Sequence, residues 1–218
     1  MSALVCFALK EEAAPFQKMA AAKSGVSVLI TGIGRDNAEK SLRNYLASHS
    51  PGLVLTCGFA GGLDPALKLG DIIFEAPAPL PDSCASLPHS LAAAGAKPAK
   101  ILCANRIATT VDERRTLRMQ TGADAAEMES GAIHAVCRGR GIPAVTVRVI
   151  SDTALEALPL DFNRFLTADK TLDLKKLLGA VAMSPGKIGA LMKLQRQAAF
   201  AAGRLAETLF KVLQTPID

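Results

Sequence analysis

Over the first 150 residues, short apolar runs alternate with segments whose apolar positions recur every three or four residues. The runs at 3–8, 26–31, 53–57, 71–74, 101–104 and 143–150 read as strands. Between them, 11–22 reads as a helix with Pro15 near its first turn, and 35–48 places Ala38, Leu42, Tyr45 and Leu46 at helical spacing. A short charged helix is expected at 112–120, and another helix at 130–139 closed by Gly139 and Gly141; 123–127 suits either strand or loop. Strands alternating with helices predict an α/β protein. The expected form is a single-domain three-layer α/β/α stack with a central mixed, mostly parallel sheet.

The segment 76–98 breaks this pattern with Pro77, Pro79, Pro81, Pro88 and Pro98. It reads as an irregular surface connection of the kind that often lines a site. Beyond Asp161 the pattern turns helical, with candidates at 172–183 and 188–213 separated by Ser184-Pro185-Gly186. The chain is expected to be one domain over 1–218, with a basic helical C-terminal extension at about 170–214.

Composition narrows the class. Half of the 218 residues are hydrophobic, too many for general disorder, and the length can bury a sizeable core. A membrane span is not expected: the apolar run 144–150 is interrupted by Arg148 and closed by Asp152, well short of the ~20 residues a span needs. The start lacks the basic region of a signal peptide, so a cytoplasmic location is expected. Cys6, Cys57, Cys103 and Cys137 sit in apolar runs and read as reduced core residues, and no CxxC pair suggests zinc. His49, His89 and His134 are too scattered to suggest a nucleophilic triad.

The net charge of +5 is local: residues 170–218 carry eight lysines and arginines against three acids, which accounts for the whole excess. With one Tyr and no Trp to stack bases, nucleic-acid binding is not expected. Ile188, Leu191, Met192 and Leu194 beside Lys187, Lys193 and Arg196 fit an interfacial helix at a membrane surface, or a helix packed on the core or a second subunit with a solvated basic face.

Four segments carry candidate chemistry. Thr31-Gly32-Ile33-Gly34-Arg35 follows a strand; its glycines would let backbone approach an anion, with Arg35 adding charge, though a tight strand-to-helix turn explains it as well. It lacks the third glycine of a dinucleotide fingerprint and the Gly-Lys-Ser/Thr of a P-loop. Gly58-Phe59-Ala60-Gly61-Gly62-Leu63 lies at a strand end, where ligands of open α/β sheets bind. Glu127-Met128-Glu129-Ser130 opens a helix, and only one of its two acids is expected to face a given site. In Val147-Arg148-Val149-Ile150-Ser151-Asp152, a buried cation needs a partner, and Asp152 stands just past the strand where a general acid or a turn cap would sit.

With Ala8-Leu9-Lys10-Glu11-Glu12 before them, these segments in this order resemble the nucleoside phosphorylase superfamily, which includes purine nucleoside phosphorylases and methylthioadenosine/S-adenosylhomocysteine nucleosidases. Within it, Thr121-Gly122-Ala123-Asp124-Ala125-Ala126-Glu127-Met128-Glu129-Ser130 and the stretch Pro185 to Leu194 look most like the hopanoid-associated phosphorylase branch. The resemblance implies cleavage of a purine nucleoside's N-glycosidic bond through an oxocarbenium-like transition state. The substrate it implies is a 5′-substituted adenine nucleoside, including a hopanoid-linked one. Asp152 would protonate the base, Glu12 would activate water and Arg148 would orient the nucleophile. Glu129 would bind the ribose hydroxyls, Met128 would pack on the sugar, and Phe59, Ala60 and Gly61 would line the substrate. Ile107 would lie near the place of the purine-stacking aromatic of many relatives.

Phe59 departs from the family, whose hydrolytic members usually have Ser or Thr there. The resemblance leaves water and phosphate both open as nucleophile; Gly34 and Arg35 would cradle phosphate. It implies no cofactor and, by analogy with relatives, a homo-oligomer. A methylthioadenosine-type nucleosidase and a non-catalytic nucleoside-binding protein are the alternatives.

Overall fold

The computed structural model describes residues 2–21, 23–77, 79–165, 167 and 185–214. Its centre is a mixed sheet in which β1 (Ala3–Phe7), β2 (Val26–Ile30), β3 (Leu53–Gly62), β4 (Ile72–Glu75), β5 (Lys97–Pro98) and β8 (Ala144–Asp152) run in the order β2-β1-β3-β8-β4-β5. All neighbours on this path are parallel except β4 and β8. Strand β7 (Ala125–Glu127) pairs antiparallel with the end of β3 and parallel with β6 (Ile101–Cys103).

Alternation along the strands sends side chains into two cores, because a pleated strand points successive residues to opposite faces. Val5 and Phe7 of β1, Leu55 of β3 and Val147 of β8 pack against α1 (Lys10–Ala20), α3 (Leu87–Ala93) and α6 (Ile188–Gln214). Leu4, Cys6 and Val54 face α2 (Arg35–Tyr45) and α5 (Ser130–Arg138) on the other side. Helix α4 (Val111–Thr121) begins at a capping box, Thr110 with Glu113, and ends at Gly122 in the left-handed conformation. The expected three-layer α/β/α arrangement is met.

Several local expectations change. The segment 76–98 is not wholly irregular. It holds a 3-10 turn at Asp82–Cys84, helix α3 and strand β5, with Leu87 and Leu91 buried one helical turn apart. Pro88 stands in the first turn of α3, where no intrahelical N–H is needed. Pro15 lies inside α1, whose first residue is Lys10. Strand β3 does not stop at Cys57 but runs through the glycines to Gly62, held by β8 on one side and β7 on the other. Asp152 is the last residue of β8, not a residue beyond it. The first half of α6 is largely exposed, whereas Ala201, Ala202, Leu205, Leu209 and Val212 are core residues. The helix expected at 172–183 lies outside the described residues. Among the described residues, no helix is long and apolar enough to cross a membrane.

Candidate active site

The parallel strands β1, β3 and β8 all end at one edge of the molecule, and a cavity of about 300 Å³ opens there. This is where ligands of open α/β sheets bind. Of the residues singled out from the sequence, Glu12, Phe59, Ala60, Gly61, Ile107, Met128, Glu129 and Asp152 line it. The rest of its wall is mainly apolar: Leu9, Ile33, Leu63, Leu158, Phe162 and, from α6, Leu194 and Ala198.

Asp152 reaches the cavity through a bulge. Pairing between β3 and β8 jumps from Ala60–Ile150 to Gly61–Asp152, so Ser151 is the extra residue and both it and Asp152 line the cavity. The Ser151 hydroxyl donates to Asp152 Oδ1 at 2.7 Å, and the Arg114 guanidinium holds Oδ2.

Glu12 is the third residue of α1. Its Oε2 accepts the Leu9 N–H at 3.0 Å, half of a capping box, and its Oε1 accepts the Phe59 N–H at 2.9 Å. Burial nonetheless raises its pKa, outweighing these bonds and the attraction of Arg148. Gly58 makes the approach feasible. Its φ is +144°, and a Cβ there would stand 2.7 Å from Arg148 Nη1 and 2.8 Å from Glu12 Oε1. A side chain at position 58 would therefore push apart the two groups that meet across the strand.

Arg148 does not line the cavity. It lies beneath it, buried to 1 % exposure, paired with Glu127 and bonded to Thr56 Oγ1 at 3.1 Å, with Glu129 Oε2 at 3.7 Å. Both acids of Glu127-Met128-Glu129 line the cavity, contrary to the expectation that only one would. Glu127 also accepts the N–H groups of Glu129 and Ser130 and the Ser130 hydroxyl. Burial alone would raise Glu127, but Arg148 and these donors hold it below the usual carboxylate range. Glu129 accepts the Gly34 N–H at 2.8 Å, yet burial, helped by the repulsion of Glu127 and opposed by Arg148, pushes it up to about 7.

The Gly34 N–H is given to Glu129, and the half-buried Arg35, which is not among the lining residues, stands beside Cys103 and Gly131. Two further residues of the site carry no assigned role in the sequence. Glu127 shares the motif of Glu129, and its part depends on the distant Arg148. Arg114 stands in the charged run Asp112-Glu113-Arg114-Arg115, where spacing does not tell a buried arginine from a solvated one. His134 has no place in the cavity; its Nε2 lies 2.8 Å from Thr146 Oγ1 and joins α5 to β8.

The raised Glu129 has a measurable consequence for stability. An unfolded glutamate ionises near pH 4.3, so between there and about pH 7 the folded protein binds a proton that the unfolded chain does not. That contribution is fully present below the unfolded value and is lost as pH rises through about 7. Glu129→Gln removes it. The melting temperature of Glu129→Gln minus that of the unaltered protein should therefore grow from pH 5 to pH 7.5 and then level off. The half-buried His134, whose pKa desolvation lowers, acts with the opposite sign below pH 6.5 but cancels in this difference. A pH-independent difference would show that Glu129 is ionised throughout.

Comparison with known proteins fits this geometry. Residues 99–181 match the model of the phosphorylase superfamily. Similar solved structures span nearly the whole chain. Futalosine hydrolase of Helicobacter pylori strain 26695 has a TM-score of 0.72 at 16% identity, covering 98% of this chain and 97% of its own. The 5′-methylthioadenosine/S-adenosylhomocysteine nucleosidase of Helicobacter pylori, solved with butyl-thio-DADMe-Immucillin-A, gives 0.71 at 17%, covering 98% of each chain. The Campylobacter jejuni nucleosidase of the same kind gives 0.69 at 15%, covering 98% and 99%. The resemblance to the nucleoside phosphorylase superfamily is thereby met by a family match over part of the chain and by the fold over almost all of it.

Proposed function

We propose that this phosphorylase-superfamily chain hydrolyses the N-glycosidic bond of a 5′-substituted adenine nucleoside. The observation that carries the reading is the charge of the cavity. Its wall holds the carboxyl groups of Glu12, Glu127, Glu129 and Asp152. Its guanidinium groups are each paired with a carboxylate: Arg114 with Asp152, Arg106 with Glu113 and, beneath the floor, Arg148 with Glu127. With its described guanidinium groups already paired, such a wall offers a phosphate dianion no free cation, while its carboxyl groups can meet positive charge that develops on the sugar. The loss of the Gly34 N–H to Glu129 points the same way.

In this reading water attacks C1′ and gives a proton to Glu12, whose raised pKa suits a general base working near neutral pH. The C1′–N9 bond breaks, its electron pair passes into the purine, and Asp152 supplies a proton to the imidazole nitrogen of the leaving base. Glu129, held by Gly34, binds the ribose hydroxyls, and Met128 packs on the sugar. Arg148 acts from below by holding Glu127 and Glu129 in place.

The apolar wall formed by Leu9, Leu158, Phe162, Leu194 and Ala198 supports an apolar 5′ substituent. A hopanoid-linked nucleoside is the extreme of that class, and 5′-methylthioadenosine, named for one of the similar structures, is a small member of it. Across 5′-alkylthioadenosines from methyl to octyl, kcat/KM for adenine release should rise, at about 0.8 kcal/mol or less per methylene buried. Release from none of them would overturn the reading, and a fall with chain length would overturn the apolar subsite.

The exposed Ile188 and Met192, with Lys187 and Arg196, support delivery of such a substrate from an anionic lipid surface, with the protein acting in the cytoplasm. Sedimentation with vesicles containing phosphatidylserine should then occur at low salt and vanish at high salt. No binding at either salt would remove the membrane contact. A homo-oligomer, as implied by the family resemblance, completes the reading; light scattering at a monomer mass would remove it.

A further inference from the structure

We propose that Arg114 is a positioning residue for proton transfer to the departing base. It fixes which oxygen of Asp152 carries the proton and stabilises the carboxylate that remains. The inference rests on the hydrolytic reading of the same site.

Arg114 is 1 % exposed, and its partners lie on the two terminal nitrogens, while Nε has none among the described residues. Its helix is fixed at the start by Thr110 and Glu113. At the far end Arg118 pairs with Asp64 and Asp124. Its Nη1 donates to the carbonyl of Thr153 at 2.9 Å and to those of Gly62 and Asp152 at 3.4 Å, while Nη2 meets Asp152 Oδ2. The space is cut to fit: a Cβ at Gly61 would lie 3.2 Å from Asp152 Oδ2 and 3.5 Å from Arg114 Nη1.

A guanidinium only donates hydrogen bonds, so Oδ2 facing it has no acceptor for a proton of its own. Oδ1 faces the Ser151 hydroxyl, which can turn from donor to acceptor. A neutral Asp152 therefore carries its proton on Oδ1. When the C1′–N9 bond breaks, that proton moves to the purine nitrogen and the oxygen keeps the electron pair. The new anion is already paired with Arg114. The charged groups facing Asp152 are Arg114 from α4, Glu12 from α1, Glu127 and Glu129 from the β7–α5 junction, and Arg106 from the loop before α4. Arg114 is the cation in direct contact with it.

A purely structural Arg114, tying α4 to β3 and β8, would make the same contacts. Leaving-group chemistry separates the two roles. Two substrates are compared, a 5′-alkylthioadenosine and the matching 4-nitrophenyl riboside, whose nitrophenolate departs without a proton. In Arg114→Met, adenine release should fall about 10- to 100-fold in kcat with little change in KM, and nitrophenolate release less than about threefold. Arg114→Lys keeps the charge and should recover part of the adenine rate. If Arg114→Met does not fold, Arg114→Lys carries the same comparison, with adenine release at least about fivefold down and nitrophenolate release unchanged. Equal slowing of both substrates overturns the proposal for Arg114. Release of neither base by the unaltered protein overturns the hydrolytic reading instead.

Discussion

Asp152→Asn should lower adenine release by about a thousandfold or more while the protein stays folded. The expectation follows from what surrounds the side chain. The amide has the same shape and can turn its oxygen to Arg114 and its NH2 towards the cavity, keeping the buried guanidinium paired. It can then still donate a hydrogen bond to the purine but cannot release a proton to it. A poor leaving base must then depart as an anion, and that raises the barrier for C1′–N9 cleavage. Circular dichroism and thermal melting should change little, because Arg114 keeps the amide oxygen and the Thr153 carbonyl, and the Ser151 hydroxyl can turn to the Ala60 carbonyl while accepting from the amide. A variant with more than about a tenth of the unaltered rate, a barrier difference under ~1.4 kcal/mol, would remove proton donation from Asp152.

Glu12→Gln is the second large effect, with a loss of about a hundredfold or more. Glutamine serves as well as glutamate at the third position of a helix, so its side chain can still accept from Leu9 or Phe59 and the start of α1 should hold. What disappears is the site that takes the proton of the attacking water. Because burial raises Glu12, activity of the unaltered enzyme should climb with pH above the usual glutamate range, and this acid limb should be missing from the residual activity of the variant. If phosphate were the nucleophile, no water proton would need a base, and Glu12→Gln would cost only binding. Steady-state rates from pH 4 to 9 decide this. A variant that keeps the acid limb and most of the rate would remove Glu12 as base.

Much of this was legible in the chain. Strands buried on both faces appear as near-continuous apolar runs, which is why β1, β3 and β8 were found. Asp152 stands out at the end of an apolar strand, whereas Glu12 and the role of Glu129 rest on the family resemblance of 8–12 and 127–129. What stayed hidden depends on long-range pairing. Glu127 meets Arg148 across 21 positions, and Arg114 meets the Asp152 segment across 38. No local pattern marks a buried charge whose counter-charge lies that far along the chain. The glycines of 58–62 stand beyond the apolar run 53–57, and their strand character comes from the neighbours β7 and β8, not from their own propensity. Prolines hid α3, although Pro88 lies in a position that helices accept. In α6 the apolar spacing is continuous, and only packing against α1 and the sheet divides its exposed half from its buried half.

The most direct measurement is adenine release from a 5′-alkylthioadenosine in buffer free of phosphate, repeated with phosphate at millimolar concentration, with the sugar product identified in each case. The account predicts equal rates and a free ribose derivative in both. Release that requires phosphate and yields a sugar 1-phosphate would contradict it: the carboxylate-rich cavity would then accommodate an anion, and Glu12 would be left with a binding role alone.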